Sequence, residues 1–186
     1  NALAVEYFKK RKFTFFQSEL NTRLLFIEGQ IYQKANEYDQ ATKCFKKTAR
    51  RAGDYEMQFA SNLNIAMCYD PKKSSSKSII SRLNKMAEDK KNVEYRDQVY
   101  YALGEVYFRD KNVDKACTQW EESVHLSTTN KQQKITSALR AADTYFSLLE
   151  KYEKAQMYYD TALAVMPKDY PNRANIESRQ KVLTNL

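Results

Sequence analysis

The sequence predicts an all-α fold: a right-handed α-α superhelical solenoid of repeated helical pairs, closed by a C-terminal capping helix. Three observations carry that reading. Four tyrosines, Tyr32, Tyr69, Tyr107 and Tyr145, stand 37, 38 and 38 residues apart, each ending a similar segment: Glu28-Gly29-Gln30-Ile31-Tyr32, Ile65-Ala66-Met67-Cys68-Tyr69, Leu103-Gly104-Glu105-Val106-Tyr107 and Ala141-Ala142-Asp143-Thr144-Tyr145. A fixed period in this range marks stacked units that bury their apolar faces only against their neighbours. Nine or ten residues after each tyrosine comes a second marker, the pairs Ala41 with Phe45, Ile79 with Leu83, Ala116 with Trp120, and Ala155 with Tyr159. A spacing of i, i+4 sets both members on one helix face, so each pair marks a second helix folding back on the first. Only three glycines and three prolines occur, which suits long helices with few sharp turns.

Taken in order, the pattern places ten helices, at roughly 2–12, 18–34, 37–51, 54–69, 74–88, 92–109, 112–126, 130–147, 150–165 and 172–184. The first has the character of a second helix, because Ala4 and Phe8 precede Ala41 and Phe45 by the repeat length. Turn chemistry falls between the others at Asn36-Glu37, Gly53-Asp54, Asp70-Pro71, Lys91-Asn92 and Thr129-Asn130. Ser74-Ser75-Ser76 is expected to cap the helix that follows it. Asp169-Tyr170-Pro171-Asn172 breaks the chain before the last helix, whose Ile176 and Leu183 share one face and suit a cap.

Small residues at Gly29, Ala66, Gly104 and Ala142 let the paired backbones approach. The resulting small-x-x-Tyr, then Ala-x-x-x-aromatic pattern resembles the tetratricopeptide repeat, with Pro167 after the last repeat helix. The period exceeds the usual length of about 34 residues, and Glu28 stands where that family has leucine, as in a divergent subfamily. The expected organisation is one solenoid over 1–186: a truncated repeat 1–17, repeats 18–53, 54–91, 92–129 and 130–170, and a capping helix 171–186.

The net charge of +8 is uneven: residues 1–91 carry 18 Lys/Arg against 10 Asp/Glu, and residues 92–186 carry 13 of each. Lys9, Lys10, Arg11 and Lys12, then Lys46, Lys47, Arg50 and Arg51, then Lys72 and Lys73, form basic clusters. They read either as solvated helix ends that suit the macrodipole or as a docking surface for an acidic partner or anionic membrane. Cys44, Cys68 and Cys117 are isolated and sit as small buried residues would, without metal-binding spacing. Alone, free cysteines lean toward a cytoplasmic, reducing compartment. No apolar run approaches the ~18–20 residues that cross a bilayer. No signal peptide is apparent and the chain begins at Asn1, which reads as a segment of a longer protein.

Residues that could carry catalysis are few. His125 has no neighbour spaced to make it a base or ligand, and Glu121 and Glu122 are adjacent, so on a helix they diverge. Scattered glycines make no phosphate-cradling loop. Neither catalytic residues nor a metal, cofactor or small-molecule substrate is expected. The groove says more. With the small residues in register, the first helices should line a concave face with Phe26, Leu63, Tyr101 and Leu139, then Gln30, Met67, Glu105 and Asp143, then Gln33, Asp70, Phe108 and Phe146. The stripe is either packing inside a tight superhelix or a site for an amphipathic helix or extended peptide. The acids Glu105 and Asp143 would favour a positively charged partner. The Lys/Asn/Arg clamp of chaperone-tail receptors is absent.

Beyond the generic repeat, Tyr100-Tyr101-Ala102-Leu103-Gly104-Glu105, the loop Ser127-Thr128-Thr129-Asn130, Tyr158-Tyr159-Asp160-Thr161-Ala162-Leu163-Ala164 and Pro167-Lys168-Asp169-Tyr170-Pro171-Asn172 resemble one family. It is the tetratricopeptide lipoprotein of the Bacteroidota type IX secretion and gliding machinery, of the SprE/PorW type. The resemblance implies a non-catalytic adaptor in the periplasm, associated with the outer membrane through a lipid anchor outside this segment. Its implied partners are the secretion translocon and the periplasmic ring and motor components. Two other readings stay open: a nucleic-acid-binding helical repeat using the basic half, and a regulatory tetratricopeptide domain of a larger protein.

Overall fold

Apolar residues at three- and four-residue steps turn most of this chain into helix, and a computed structural model describes residues 18–184. The expected helix at 2–12, the truncated repeat 1–17 and Lys9, Lys10, Arg11 and Lys12 lie outside the described residues. Nine α-helices occur among the described residues: α1 Ser18–Lys34, α2 Tyr38–Arg51, α3 Tyr55–Met67, α4 Lys77–Glu88, α5 Arg96–Arg109, α6 Val113–Leu126, α7 Lys131–Ser147, α8 Tyr152–Val165 and α9 Arg173–Thr184. A 3-10 helix spans Lys90–Tyr95, and no strand is found among the described residues. The architecture is therefore the all-α repeat array expected.

Two compact units meet in sequence between Ile79 and Ile80. In the first, α1 packs on α2 and α2 on α3. Its core joins Leu25, Tyr32, Ala41, Cys44, Phe45 and Cys68. In the second, α5 to α9 pack each on the next, around Trp120, Tyr145, Tyr158, Tyr159 and a layer of alanines from α7 and α8. The small residues act as inferred. A Cβ at Gly29 would come within 2.7 Å of the Phe45 ring, and one at Gly104 would run into the Trp120 indole. Each glycine thus forms the socket for the large residue of its partner helix.

The tyrosine register has a backbone cause as well. The Tyr32, Tyr107 and Tyr145 carbonyls accept from Glu37 N, Asn112 N and Lys151 N, each at 2.9 Å, across the turn between paired helices. Those turns pass through a left-handed residue: Asn36 at φ 61, Lys111 at φ 63 and Glu150 at φ 52. Such bonds satisfy carbonyls that a helix end leaves without partners. The second repeat departs from this plan. Pro71 cannot continue a helix and disfavours helical backbone before it, so α3 ends at Met67 rather than near 69. Tyr69 lies beyond the helix and donates its hydroxyl to Ser74 O at 3.3 Å.

Two expected helix starts are corrected. The helix expected from 74 begins at Lys77, whose N–H donates to Ser75 Oγ at 3.4 Å, so the serines form the turn before it. The helix expected from 92 begins at Arg96. Asn92 donates to Met86 O at 2.8 Å and Arg96 Nε to Ala87 O at 2.7 Å. Both side chains serve carbonyls at the end of α4, and that tether holds the intervening residues in the tighter 3-10 form.

Candidate functional site

The apolar and aromatic first-helix residues expected to form the stripe in the second unit are half-buried. Tyr101, Phe108, Leu139 and Phe146 all pack against the core and keep part of their surface open. Phe146 meets Tyr152 edge-on at 5.9 Å. Burial pushes the Tyr101 phenol up to about 12, with nearby Glu105 adding to the shift, so it stays a neutral donor and acceptor.

The acids of the stripe do not stand as the sequence implied. Glu105 is only 8% exposed and is held by Arg140, which donates from Nε to Oε1 at 2.7 Å and from Nη2 to Oε2 at 3.3 Å. The Arg140 guanidinium lies over the Phe108 ring at 4.4 Å and near the Trp120 ring at 5.0 Å. Asp143 Oδ1 accepts from Arg179 at 2.8 Å and from the Tyr159 hydroxyl at 2.6 Å. Glu105 and Asp143 therefore do not form a free acidic rim. A planar arginine that pairs bidentately with a carboxylate and stacks on an aromatic face is strongly pre-oriented.

These pairs form a ladder. Glu105 and Asp143 each follow a small residue of the repeat, and each is met by an arginine 35 or 36 residues further on, Arg140 on α7 and Arg179 on α9. The two acids stand 38 residues apart, the step of the last tyrosines. Beside the second rung, a cleft of about 730 Å³ is lined by Gln132, Leu139, Tyr170, Asn172, Asn175 and Ile176, with Asp143 and Arg179 at its wall. It holds amides, apolar carbons and one ion pair, the mixture that suits a peptide rather than a reaction.

In the first unit, Phe26 is half-buried and meets Phe45 edge-on at 5.5 Å. Gln30 is exposed, while Leu63, Met67 and Gln33 are half-buried. Gln33 Nε2 donates to Asn64 O at 3.5 Å, an uncharged counterpart of the ladder. Lys46, Lys47, Arg50, Arg51, Lys72 and Lys73 are all exposed, with Lys73 paired to Asp39 at 2.6 Å. The cysteines are free and buried, and burial pushes the Cys44 and Cys117 thiols up to about 11. His125 is exposed at the last turn of α6. No group of three or more His, Cys, Asp or Glu able to hold a metal occurs among the described residues.

A second cluster, missed in the sequence, pins α5, α6 and α7. Ser123 Oγ donates to Asp97 O at 2.6 Å, Ser127 Oγ to Asp97 Oδ2 at 3.0 Å, the Ser123 and Ser137 hydroxyls bond at 2.7 Å, and Gln133 Nε2 donates to Ser137 Oγ at 2.9 Å. All but Gln133 are buried, so the cluster is a structural seam rather than an open site.

Two family models, both described as tetratricopeptide repeat, match this chain, at residues 22–55 and 95–168. No curated protein matches it significantly.

Proposed function

The chain is built from tetratricopeptide repeats, and from that premise we propose that it is a non-catalytic adaptor of type IX protein secretion and gliding. Repeats of this kind bind other proteins, and an interaction scaffold is the general role that follows. The single observation carrying the adaptor reading is the half-open aromatic side chains of Tyr101, Phe108 and Phe146 in the unit that also holds the cleft between α7 and α9. Large, partly exposed aromatics next to a concavity are the usual source of binding energy between proteins. The secretion role is supported by the resemblance of the 100–105, 127–130, 158–164 and 167–172 segments. Its partners would be translocon and periplasmic ring or motor components, with the chain on the periplasmic side of the outer membrane. No helix among the described residues is long and apolar enough to cross a membrane, so attachment would need an anchor elsewhere.

Site-specific photo-crosslinking from position 101 or 108 in native envelopes tests this. Secretion components should be captured, and Tyr101→Ala or Phe108→Ala should weaken capture about tenfold, as loss of ~1–2 kcal/mol at a hot spot implies. Capture untouched by either change would place docking elsewhere. The exposed cations of α2 favour a second reading, nucleic-acid binding. Tight association with generic DNA or RNA that collapses as salt rises would support it against the adaptor. A third reading, a regulatory domain of a larger enzyme, is tested by finding the parent chain's activity changed when this segment is deleted.

A further inference from the structure

At the Glu105–Arg140 pair of the second unit, the charge that reaches solvent is arginine. The Glu105 side chain keeps 11% of its surface against 35% for Arg140. Arg140 spends Nε and Nη2 on Glu105, and its plane is held by Phe108 and Trp120. Among the described residues, Nη1 meets no acceptor. A guanidinium clamped along one edge has little side-chain entropy left to lose when its other edge is bound. The next rung is more open: the Tyr159 hydroxyl and Arg179 both donate to one oxygen of Asp143, and the Arg179 and Asp143 side chains are both about half exposed. Around it, Gln132, Asn172 and Asn175 offer the paired donors and acceptors that a peptide main chain needs.

We propose that this face takes an extended peptide segment bearing Asp or Glu, with a carboxylate of that segment seated on the free edge of Arg140 and its main chain running toward the amides of the cleft. This reverses the basic partner that the bare sequence of the stripe suggested. It rests on the adaptor reading and adds the sign of the partner's charge. Aromatic contacts with Phe108 and Tyr101 supply the apolar part of the interface, and the arginine edge supplies selectivity.

The whole chain can be tested directly, because Trp120 is its single tryptophan and lies beside the Arg140 guanidinium. Short peptides of equal apolar content, carrying Glu, Gln or Lys at the variable positions, are titrated against Trp120 emission. The Glu series should saturate and bind about tenfold tighter than the Lys series, the scale of one charge-assisted bidentate contact. The double change Glu105→Gln with Arg140→Gln removes both charges and leaves neither buried alone. It should keep the helical circular dichroism and abolish the preference, whereas Arg140→Lys should reduce it.

Equal or tighter binding of the Lys series overturns the inference while leaving an adaptor that binds peptides. A preference surviving in the double variant, or tighter binding of a single-stranded oligonucleotide than of the Glu series, overturns it too. Failure of every peptide to perturb or bind the chain also overturns it. The adaptor reading then stands or falls separately on the envelope crosslinking.

Discussion

A methyl group added at Gly104 has nowhere to go, because it runs into the indole of Trp120, itself fully buried. Gly104→Ala should therefore destabilise the second unit by about 1–3 kcal/mol, the usual cost of overpacking. Gly53 has nothing within 4 Å of an added Cβ, so Gly53→Ala should change stability by less than about 0.5 kcal/mol. Urea titration by circular dichroism separates the two. Lys111 and Glu150 hold left-handed backbone that side chains resist. Replacing either with glycine should stabilise by up to about 1 kcal/mol, net of glycine's greater freedom when unfolded. The buried thiols give a pH signature. Cys44 and Cys117 ionise near 11 when folded, above the ordinary thiol value of about 8.5, so their stabilisation is complete below that value. It is lost as pH rises through the folded value, because the unfolded chain releases its thiol protons first. The urea midpoint should fall between about pH 9 and 11, and Cys117→Ala should flatten that fall in the Trp120 signal.

At the scale of elements, the clearest single-residue control is a cap. Asp54 Oδ1 accepts from Met57 N at 2.6 Å at the start of α3, while the starts of α2, α5 and α8 lack a side-chain cap. Asp54→Ala should cost about 1 kcal/mol and raise amide exchange in the first turn of α3, measured by mass spectrometry. Helix positions were legible because period and apolar spacing repeat together, and the small residue before each tyrosine pointed to the helix pairing. What stayed hidden was long-range. Nothing local in Val93-Glu94-Tyr95 announces a 3-10 segment; it arises because Asn92 and Arg96 reach back to carbonyls of α4. The early end of α3 was legible in Pro71, whose effect the regular period overshadowed. At the candidate site, the half-buried aromatics follow from their offset to the small residues, but Arg140 sits two before Ala142, outside those offsets. Its role depends on a carboxylate 35 residues away, and so does the neutralisation of Glu105.

For the whole molecule, the two units have cores of different make. One is centred on Phe45 and the other on Trp120, Tyr159 and the alanine layer of α7 and α8. The larger set of fully buried side chains belongs to the second, so the first should unfold at lower urea. Circular dichroism would then begin to fall before Trp120 emission, which reports the second unit alone. Coincident curves would contradict this. The ladder carries one more consequence. Glu105–Arg140 joins α5 to α7 and Asp143–Arg179 joins α7 to α9, bypassing α6 and α8 between them, as cross-braces do in a truss. The inner brace is shielded from ions, while the outer one, half in water, is weakened by salt. Rising ionic strength should therefore loosen the α7–α9 brace before the α5–α7 one, seen as amide exchange in α9 that quickens with salt while α5 stays unchanged.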